Sequence, residues 1–176
     1  MKDAQGREIK YLRVSVTDRC NLRCKYCMPN GIECVEHKDI LSFEEIRQIA
    51  VCGARLGITK IRLTGGEPLA RKGCPELIRM LKEIPGIEKI AMTTNGTLVR
   101  AILPELVEAG LDEINISLDT LDAGTFASIT GQDLLPEVLL AIDAALAAGL
   151  KVKVNAVSMP DTDWKRLITL AKDKPV

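Results

Sequence analysis

Three cysteines near the N-terminus are the residues of this chain best placed to do chemistry. Cys20, Cys24 and Cys27 follow a C-x3-C-x2-C spacing within residues 19–29. Thiolates this close in sequence can converge on one metal centre, and iron–sulfur clusters are held by cysteine thiolates. Three ligands on a four-iron cluster leave one iron open to a small molecule. The spacing therefore predicts an iron–sulfur site with a free coordination position.

Other interpretations of these cysteines remain open. They could bind structural zinc with Cys34 as a distant fourth ligand, although zinc sites usually come as two cysteine pairs. They could form disulfides, although the polar N-terminus M-K-D-A-Q-G-R-E-I-K has no secretory signature. They could be free thiols, which rarely fall at this spacing. Cys34, Cys52 and Cys74 are interpreted as structural thiols, since Cys52 falls on a predicted helix and the other two have no partner at metal-ligand spacing.

Composition limits the class of protein. The 176 residues suggest one domain, and 47% apolar with 27% charged residues is typical of a soluble globular protein. Lys and Arg balance Asp and Glu at 24 each, so bulk charge predicts neither a nucleic-acid nor a membrane partner. No apolar run approaches the ~18 residues of a membrane span. A cytoplasmic protein with reduced cysteines is the expectation.

Five predicted strands alternate with predicted helices along the chain. The strands are expected at residues 11–16, 59–63, 87–93, 112–118 and 150–157. Ser42 and Glu45 form a capping-box pattern for a helix that Gly57 should end. Further helices are expected at 75–84, 99–109, 123–129 and 136–148, with a last one starting near residue 161 or 162. The alternation predicts βα units and a parallel sheet.

Each predicted strand alternates apolar with polar side chains. Strands buried on both faces usually read as apolar runs, so one face of this sheet must be wet. In a curved, barrel-like sheet that wet face is the lumen, and an open sheet with one solvated face is the alternative. The fold class predicted is α/β, a partial (β/α) barrel of about five parallel strands.

Four cations on the polar face point to an anionic ligand. Arg13, Lys60, Arg62 and Lys153 would share the lumen, and clustered cations are costly unless an anion joins them. Arg and Lys both bind phosphate, so a phosphate ester is the ligand expected, with salt bridges to neighbouring carboxylates as the alternative for each cation. Active groups of parallel barrels gather at the carboxyl ends of strands. The cysteine loop, T-G-G-E-P, T-T-N-G and S-L-D all fall there.

The cysteine spacing, with Tyr26 just before the last cysteine, resembles the signature of radical S-adenosylmethionine (SAM) enzymes. The string L-R-V-S-V-T-D-R-C-N-L-R-C-K-Y-C-M-P, residues 12–29, is similar to the GTP 3',8-cyclase family of molybdenum cofactor biosynthesis. The likeness extends from about residue 6 to the end of the chain. Its motifs are specific in combination, although G-G-E-P or T-T-N-G alone would be weak evidence for the family. It implies a partial barrel and a [4Fe-4S] cluster whose open iron binds SAM. Reductive cleavage of SAM then gives a 5'-deoxyadenosyl radical.

The resemblance also implies roles for individual residues. Cys20, Cys24 and Cys27 would ligate the cluster. The SAM contacts implied are Tyr26, Gly65, Gly66, Glu67 and Ser117. The GTP contacts implied are Arg13, Arg62, Thr93 and Lys153, with Lys60 as a companion. The family's lyase reaction moves a radical from the ribose C3' to the guanine C8, giving (8S)-3',8-cyclo-7,8-dihydroguanosine 5'-triphosphate. Taken alone, Gly65-Gly66 could be only a tight turn and Ser117 only a cap.

The sequence also departs from the family pattern. The family continues into a sixth strand, a second set of three cysteines and a tail with paired glycines, none of which follows Val176. Residues 1–176 are therefore expected to form an incomplete radical SAM core with an exposed fifth strand, marginal stability and self-association, for example as a homodimer. A reducing electron donor is an implied partner. Another radical SAM enzyme, or a non-catalytic binding or scaffold fragment, remains the alternative function.

Overall fold

The computed structural model describes residues 2–27, 31, 35–159 and 162–176, and these residues form one open, five-stranded parallel sheet. The strands lie side by side in chain order: β1 (Tyr11–Ser15), β2 (Lys60–Thr64), β3 (Lys89–Thr94), β4 (Glu113–Ser117) and β5 (Lys151–Asn155). The α-helices are α1 (Phe43–Arg55), α2 (Cys74–Lys82), α3 (Val99–Glu108), α4 (Ala123–Thr130), α5 (Leu135–Ala147) and α6 (Trp164–Asp173). Short 3-10 helices lie at His37–Asp39 and Pro68–Ala70. The predicted parallel sheet is confirmed.

Local capping decides where the helices begin. At α1 the Ser42 hydroxyl accepts the Glu45 N–H at 3.1 Å, and the Glu45 carboxylate accepts the Ser42 N–H at 2.7 Å. The predicted capping box is therefore present. The last helix begins later than predicted, because Asp163 accepts the Arg166 N–H at 3.1 Å and makes Trp164 the first helical residue. Residue 161 of that prediction lies outside the described residues.

The helices cover the apolar face of the sheet. Leu12 is paired in register with Ile61, Ile61 with Ile90, and Ile114 with Val152, so apolar residues form continuous rows across the strands. Helical residues that pack on these rows and are fully buried include Ile46, Leu77, Leu106 and Ile142. Burial of each such side chain contributes about 1.5–3 kcal/mol. This packing holds the opposite, polar face in a fixed geometry.

The polar residues of the strands also form rows across the sheet. Arg13 is paired with Arg62, Arg62 with Ala91, Ala91 with Glu113, and Glu113 with Lys151. Rows on the same face are two residues apart along each strand, because successive side chains of a strand point to opposite faces. The alternation read from the sequence is therefore confirmed, in a sheet that does not close into a full barrel. None of the described helices has the length and apolarity needed to span a bilayer.

Candidate functional site at the carboxyl ends of the strands

A cavity of about 150 Å³ opens where the strands end, and most of the predicted cofactor residues meet in it. Its lining residues are Cys20, Leu22, Cys24, Tyr26, Cys27, Thr64, Gly65, Gly66, Thr93, Thr94, Asn95 and Ser117. The cysteine loop therefore faces the loops after β2 and β3 and the end of β4. A larger depression of about 500 Å³ lies beside Asp119, but no cysteine or cation is among the described residues that line it. The smaller cavity is the one that holds the chemical groups.

Backbone hydrogen bonds hold the cysteine loop over this cavity. The Val16 N–H donates to the Thr64 carbonyl at 2.9 Å, which continues the pairing of β1 with β2 into the loop. Arg23 N–H donates to the Thr130 carbonyl at 2.9 Å, and Lys25 N–H to the Ile129 carbonyl at 3.0 Å. These acceptors lie at the end of α4. The loop is thus anchored at both sides, and its three thiols are confined to one end of the sheet.

Gly65 and Gly66 permit a close approach between two loops. A Cβ atom on Gly65 would lie 2.4 Å from the Thr17 carbonyl oxygen, and one on Gly66 would lie 2.4 Å from the Arg19 carbonyl oxygen. The Gly66 N–H donates to Thr17 at 2.8 Å, and the Glu67 N–H donates to Arg19 at 2.7 Å. Only glycine fits such contacts. The pair is therefore more than a tight turn, because it fastens the T-G-G-E-P loop to the cysteine loop.

The Glu67 side chain points into the protein and joins two loops. It is fully buried, and its carboxylate accepts the Leu69 N–H at 3.0 Å and the Asn95 N–H at 2.7 Å. The Thr94 hydroxyl lies 2.8 and 2.9 Å from its two oxygens. Burial raises the pKa of Glu67, and these hydrogen bonds oppose the rise. Contact of Glu67 with SAM stays a prediction, and any such contact falls to its backbone.

Asn95 links the T-T-N-G loop to the first predicted cluster ligand. Its Nδ2 group donates to the Asn21 Oδ1 atom at 2.8 Å and lies 3.7 Å from Cys20 Sγ. Its Oδ1 atom accepts from the Thr97 N–H at 3.0 Å and from the Thr97 hydroxyl at 2.7 Å. The Leu22 N–H also donates to Cys20 Sγ, at 3.4 Å. The Cys20 sulfur therefore has a backbone and a side-chain donor.

Tyr26 is fixed by a carboxylate of the S-L-D segment. Its hydroxyl donates to Asp119 Oδ2 at 2.6 Å, and the other oxygen, Oδ1, accepts the Val157 N–H at 2.8 Å. Burial, together with the hydrogen bond to Asp119, raises the pKa of Tyr26. Asp119 thus ties the cysteine loop to the ends of β4 and β5, which places the tyrosine ring at the cavity wall.

The three cysteines fit an iron–sulfur cluster by the chemistry of their surroundings. The lining residues that the structure describes include no carboxylate or imidazole, and the five cysteines described are free thiols. Burial and the neighbouring sulfurs of Cys27 and Cys20 raise the pKa of Cys24 to about 11, so a metal cation beside the sulfur would be required to hold it as a thiolate at neutral pH. Among the residues described, no three His, Cys, Asp or Glu side chains are spaced for one metal ion. A four-iron cube holds its ligands farther apart, on three separate irons. Ligation by these cysteines remains a prediction.

Thr93 lines the cavity, and the other predicted GTP residues lie on the same face of the sheet. Arg13 and Arg62 belong to the same row of paired residues as Glu113. Lys60 Nζ contacts Glu113 Oε2 at 2.6 Å, and Arg62 Nη2 approaches the same oxygen at 3.8 Å. Lys60 and Arg62 therefore form salt bridges to a neighbouring carboxylate, which was the alternative to phosphate binding that the sequence left open. Arg13 and Lys153 are exposed, and within the described residues neither makes a salt bridge. Arg62 Nη1 also lies 3.2 Å from the hydroxyl of Thr93, which lines the cavity, so Thr93 connects the two regions.

Several residues of the site were not singled out from the sequence. Glu113, Asn95, Asp119, Thr64 and Thr94 appeared only as members of the polar alternation of the strands or of the T-G-G-E-P, T-T-N-G and S-L-D motifs. Their partners lie far away in the chain, so the strand order was needed to find them. Cys74 is buried and burial raises its pKa to about 12, as expected of a structural thiol, whereas Cys52 is exposed on α1. Cys34, the suggested fourth zinc ligand, lies outside the described residues.

Comparison with known proteins identifies the class of protein. The Radical SAM superfamily model matches residues 14–173, so the chain belongs to the radical SAM superfamily. The fold is also similar to those of solved structures. "Native anSMEcpe with bound AdoMet" aligns with a TM-score of 0.74 at 19% identity, covering 94% of this chain and 48% of that one. Methylornithine synthase (PylB) aligns with a TM-score of 0.71 at 20% identity, covering 94% and 50%. At this identity the likeness shows the fold.

Curated relatives show which branch of the superfamily this chain resembles. The chain is 53% identical over 162 residues to the GTP 3',8-cyclase of Thermodesulfovibrio yellowstonii, covering 90% of this chain and 50% of the relative. It is 48% identical over 179 residues to the GTP 3',8-cyclase of Petrotoga mobilis, covering 99% and 55%. The chain spans about half the length of the curated relatives it matches. The predicted resemblance to this enzyme family is confirmed.

Proposed function

We propose that this chain is the SAM-binding and GTP-binding core of a GTP 3',8-cyclase. The observation that carries the proposal is the single cavity that brings the three cysteines together with Tyr26, Gly65, Gly66, Thr93 and Ser117. About 50% identity to GTP 3',8-cyclases supports the same reading. When bound, a [4Fe-4S] cluster and SAM supply the one-electron reductive cleavage that starts this reaction. The protein binds, orients and shields them.

The loop geometry suggests how the chain recognises SAM. The Gly66 and Glu67 N–H groups already donate to the cysteine loop, so they are not free for a ligand. An ammonium group needs acceptors, and the Gly65 and Gly66 carbonyl groups belong to the same cavity wall. We therefore assign the amino group of SAM to these carbonyls. Ser117, at the end of β4, supplies a hydroxyl on the opposite side.

The charged side chains below the cavity suggest where the phosphates of a nucleotide would bind. Lys60 and Arg62 share one carboxylate, and Arg13 and Lys153 add two further cations on the same face. Cations outnumber the acid, so a triphosphate would complete the charge balance that Glu113 begins. Thr93, between the cavity and Arg62, would then contact the nucleotide next to SAM.

The cofactor half of the proposal is tested by anaerobic reconstitution with iron and sulfide, followed by low-temperature EPR with and without SAM. We expect a four-iron signal that shifts on addition of SAM. Cys24→Ser should abolish the cluster, whereas Cys52→Ser, an exposed cysteine on α1, should leave it intact. A reconstituted signal that ignores SAM, or no cluster in the wild-type chain, would favour the non-catalytic scaffold function.

The substrate half is tested by equilibrium binding of GTP, guanosine and inorganic tripolyphosphate. We expect GTP and tripolyphosphate to bind and guanosine to bind far more weakly, and Lys153→Met to weaken GTP at least tenfold. Lys172→Met, a change of the same type on α6, is the matched control. Binding of guanosine as tightly as GTP would favour a radical SAM enzyme with another substrate.

The partners and location follow from the same proposal. We infer a cytoplasmic protein that receives electrons from a reducing donor and that binds neither nucleic acid nor membrane. The balance of 24 basic and 24 acidic residues supports this inference. A homodimer is also inferred, and sedimentation of the reconstituted chain would test it, with a monomer at all concentrations as the contrary result.

A further inference from the structure

We propose that Asn95 donates a hydrogen bond to the sulfur of Cys20 and thereby raises the reduction potential of the cluster held there. This inference rests on the proposed function, because it takes Cys20 as a cluster ligand. The Asn95 Nδ2 atom lies 3.7 Å from Cys20 Sγ, within the range of N–H···S hydrogen bonds. Asn95 is not among the residues that the sequence suggested for SAM, GTP or the cluster.

The orientation of the Asn95 amide is fixed by a donor that cannot reverse. The Thr97 backbone N–H points at one end of the amide at 3.0 Å, and a backbone N–H only donates. That end must therefore be the carbonyl oxygen, so the NH2 group must be the end directed at Cys20. An inverted amide would set two donors against each other.

A closed ring of side-chain hydrogen bonds holds this orientation. Asn95 Nδ2 donates to Asn21 Oδ1 at 2.8 Å, and Asn21 Nδ2 donates to the Thr97 hydroxyl at 2.8 Å. The Thr97 hydroxyl donates back to Asn95 Oδ1 at 2.7 Å. Each donor in the ring meets an acceptor. The second proton of the Asn95 amide then has the Cys20 sulfur as its partner.

The backbone of the same residue is fixed independently. The Asn95 N–H donates to the buried Glu67 carboxylate at 2.7 Å, which connects the T-T-N-G loop to the T-G-G-E-P loop. The donor is therefore held from two sides, as are the groups that orient metal ligands in other proteins. It cannot swing away when the charge on the sulfur changes.

Hydrogen bonds to cluster sulfurs are one of the factors that set the reduction potential of iron–sulfur clusters. A donor near the ligand sulfur stabilises the additional negative charge of the reduced state. A cluster held there would take one electron from an external reductant before SAM could be cleaved. By this assignment Asn95 makes that electron easier to accept.

The experiment is an EPR-monitored redox titration of the reconstituted protein with dithionite or Ti(III) citrate as reductant. We expect Asn95→Ala to shift the midpoint potential to more negative values, and Asn95→Asp, which replaces the donor by an anionic oxygen of the same shape, to shift it further in the same direction. Thr97→Val is the matched control, because it opens the ring but keeps the Thr97 N–H and the Asn95 amide. Its midpoint should equal that of the wild type.

Each outcome distinguishes this inference from the proposed function. A wild-type chain that assembles no cluster would defeat the proposed function itself. A wild-type cluster whose midpoint is unchanged in Asn95→Ala and Asn95→Asp would overturn only the role of Asn95. An equal shift in Thr97→Val and Asn95→Ala would also overturn it, because the effect would then come from the ring. Circular dichroism establishes that each variant is folded, and if Asn95→Ala does not fold, Asn95→Leu, an uncharged side chain of similar size without a donor, takes its place in the comparison.

Discussion

Two buried glutamates lie near the site, one in the loop after β2 and one on β4, and they are held in opposite ways. Glu67, beside the cavity, is surrounded by neutral donors: two backbone N–H groups and the Thr94 hydroxyl. Glu113, in the row below, contacts Lys60 and Arg62 and lies near further lysines. The comparison separates the proposed cofactor end, which is built on neutral hydrogen bonds, from the proposed substrate end, which is built on charge.

This difference has a physical consequence for each end. Hydrogen bonds between neutral and backbone groups depend on geometry and respond little to salt, whereas partly exposed ion pairs are screened by it. The loops around the cavity should therefore keep their structure in different salts and with different ligands. The charged side chains should instead respond to ionic strength and to bound anions, as the proposed triphosphate site requires.

The largest effect on stability is expected from Gly66→Ala, which tests the close contact between the backbones of the T-G-G-E-P loop and the cysteine loop. The new Cβ atom would lie 2.4 Å from the Arg19 carbonyl oxygen and 2.6 Å from the Asp18 carbonyl oxygen, and neither atom can move without displacing the cysteine loop. We expect the free energy of unfolding to fall by about 3 kcal/mol. Urea unfolding at low and high salt measures the loss, which should be the same in both.

Gly149→Ala is the matched control for that change. Gly149 has a positive φ of 78°, but a Cβ atom there meets nothing within 4 Å. Its substitution should cost only the backbone strain of about 1 kcal/mol. Equal losses in the two variants would show that the Gly66 contact is not what holds the two loops together.

A smaller effect on stability is expected from Glu113→Gln, which removes the negative charge from the proposed substrate end. The change leaves Lys60 and Arg62 close together without their shared carboxylate. We expect a loss of about 2 kcal/mol at low salt, less than for a fully buried pair because the Lys60 side chain is 25% exposed. Inorganic tripolyphosphate should restore part of the stability, as measured by urea unfolding.

Glu67→Gln is the control that sharpens the comparison. A glutamine amide would place a donor against either the Leu69 or the Asn95 N–H, so stability should fall by about 2 kcal/mol here too. Neither salt nor tripolyphosphate should recover it. If tripolyphosphate rescued both variants equally, or neither, the division of the site into a neutral and a charged end would be wrong.

The fold was predictable because local signals agreed with one another along the chain. Each strand showed alternation with a period of two, and the Ser42–Glu45 capping box marked a helix start correctly. The start of α6 was misplaced because two capping candidates compete within a few residues, and only the structure shows that Asp163 is the cap. Helix boundaries of this kind depend on which side chain forms the capping hydrogen bond.

The site was only partly predictable, because its contacts join residues far apart in the chain. Motifs brought Cys20 and Gly66 to the same end of the sheet, but no motif indicates that Asn95 meets Cys20. The Arg62–Glu113 contact requires knowing that β3 lies between β2 and β4 and that Ala91 separates the two residues. The contact of Glu67 with SAM stays a prediction, and no motif indicated that its carboxylate turns inward, since the sequence does not say which side of a loop faces a ligand.

The smallest effect is a difference in the sign of pH dependence between the two glutamates. Burial raises the pKa of Glu67 above its ordinary value of 4.5, so its contribution to stability is full below pH 4.5 and is lost as pH rises through the folded-state pKa. Burial also acts on Glu113, but the Lys60 hydrogen bond and the lysine charges outweigh it and lower its pKa. Its contribution is therefore full above pH 4.5 and is lost as pH falls through the folded-state pKa. The unfolding free energy of the wild type minus that of each Gln variant, measured from neutral pH down to about pH 4, should rise on acidification for Glu67 and fall for Glu113. Slopes of the same sign would mean that lysine charge does not govern Glu113, and the contrast between the two ends of the site would fail at its electrostatic basis.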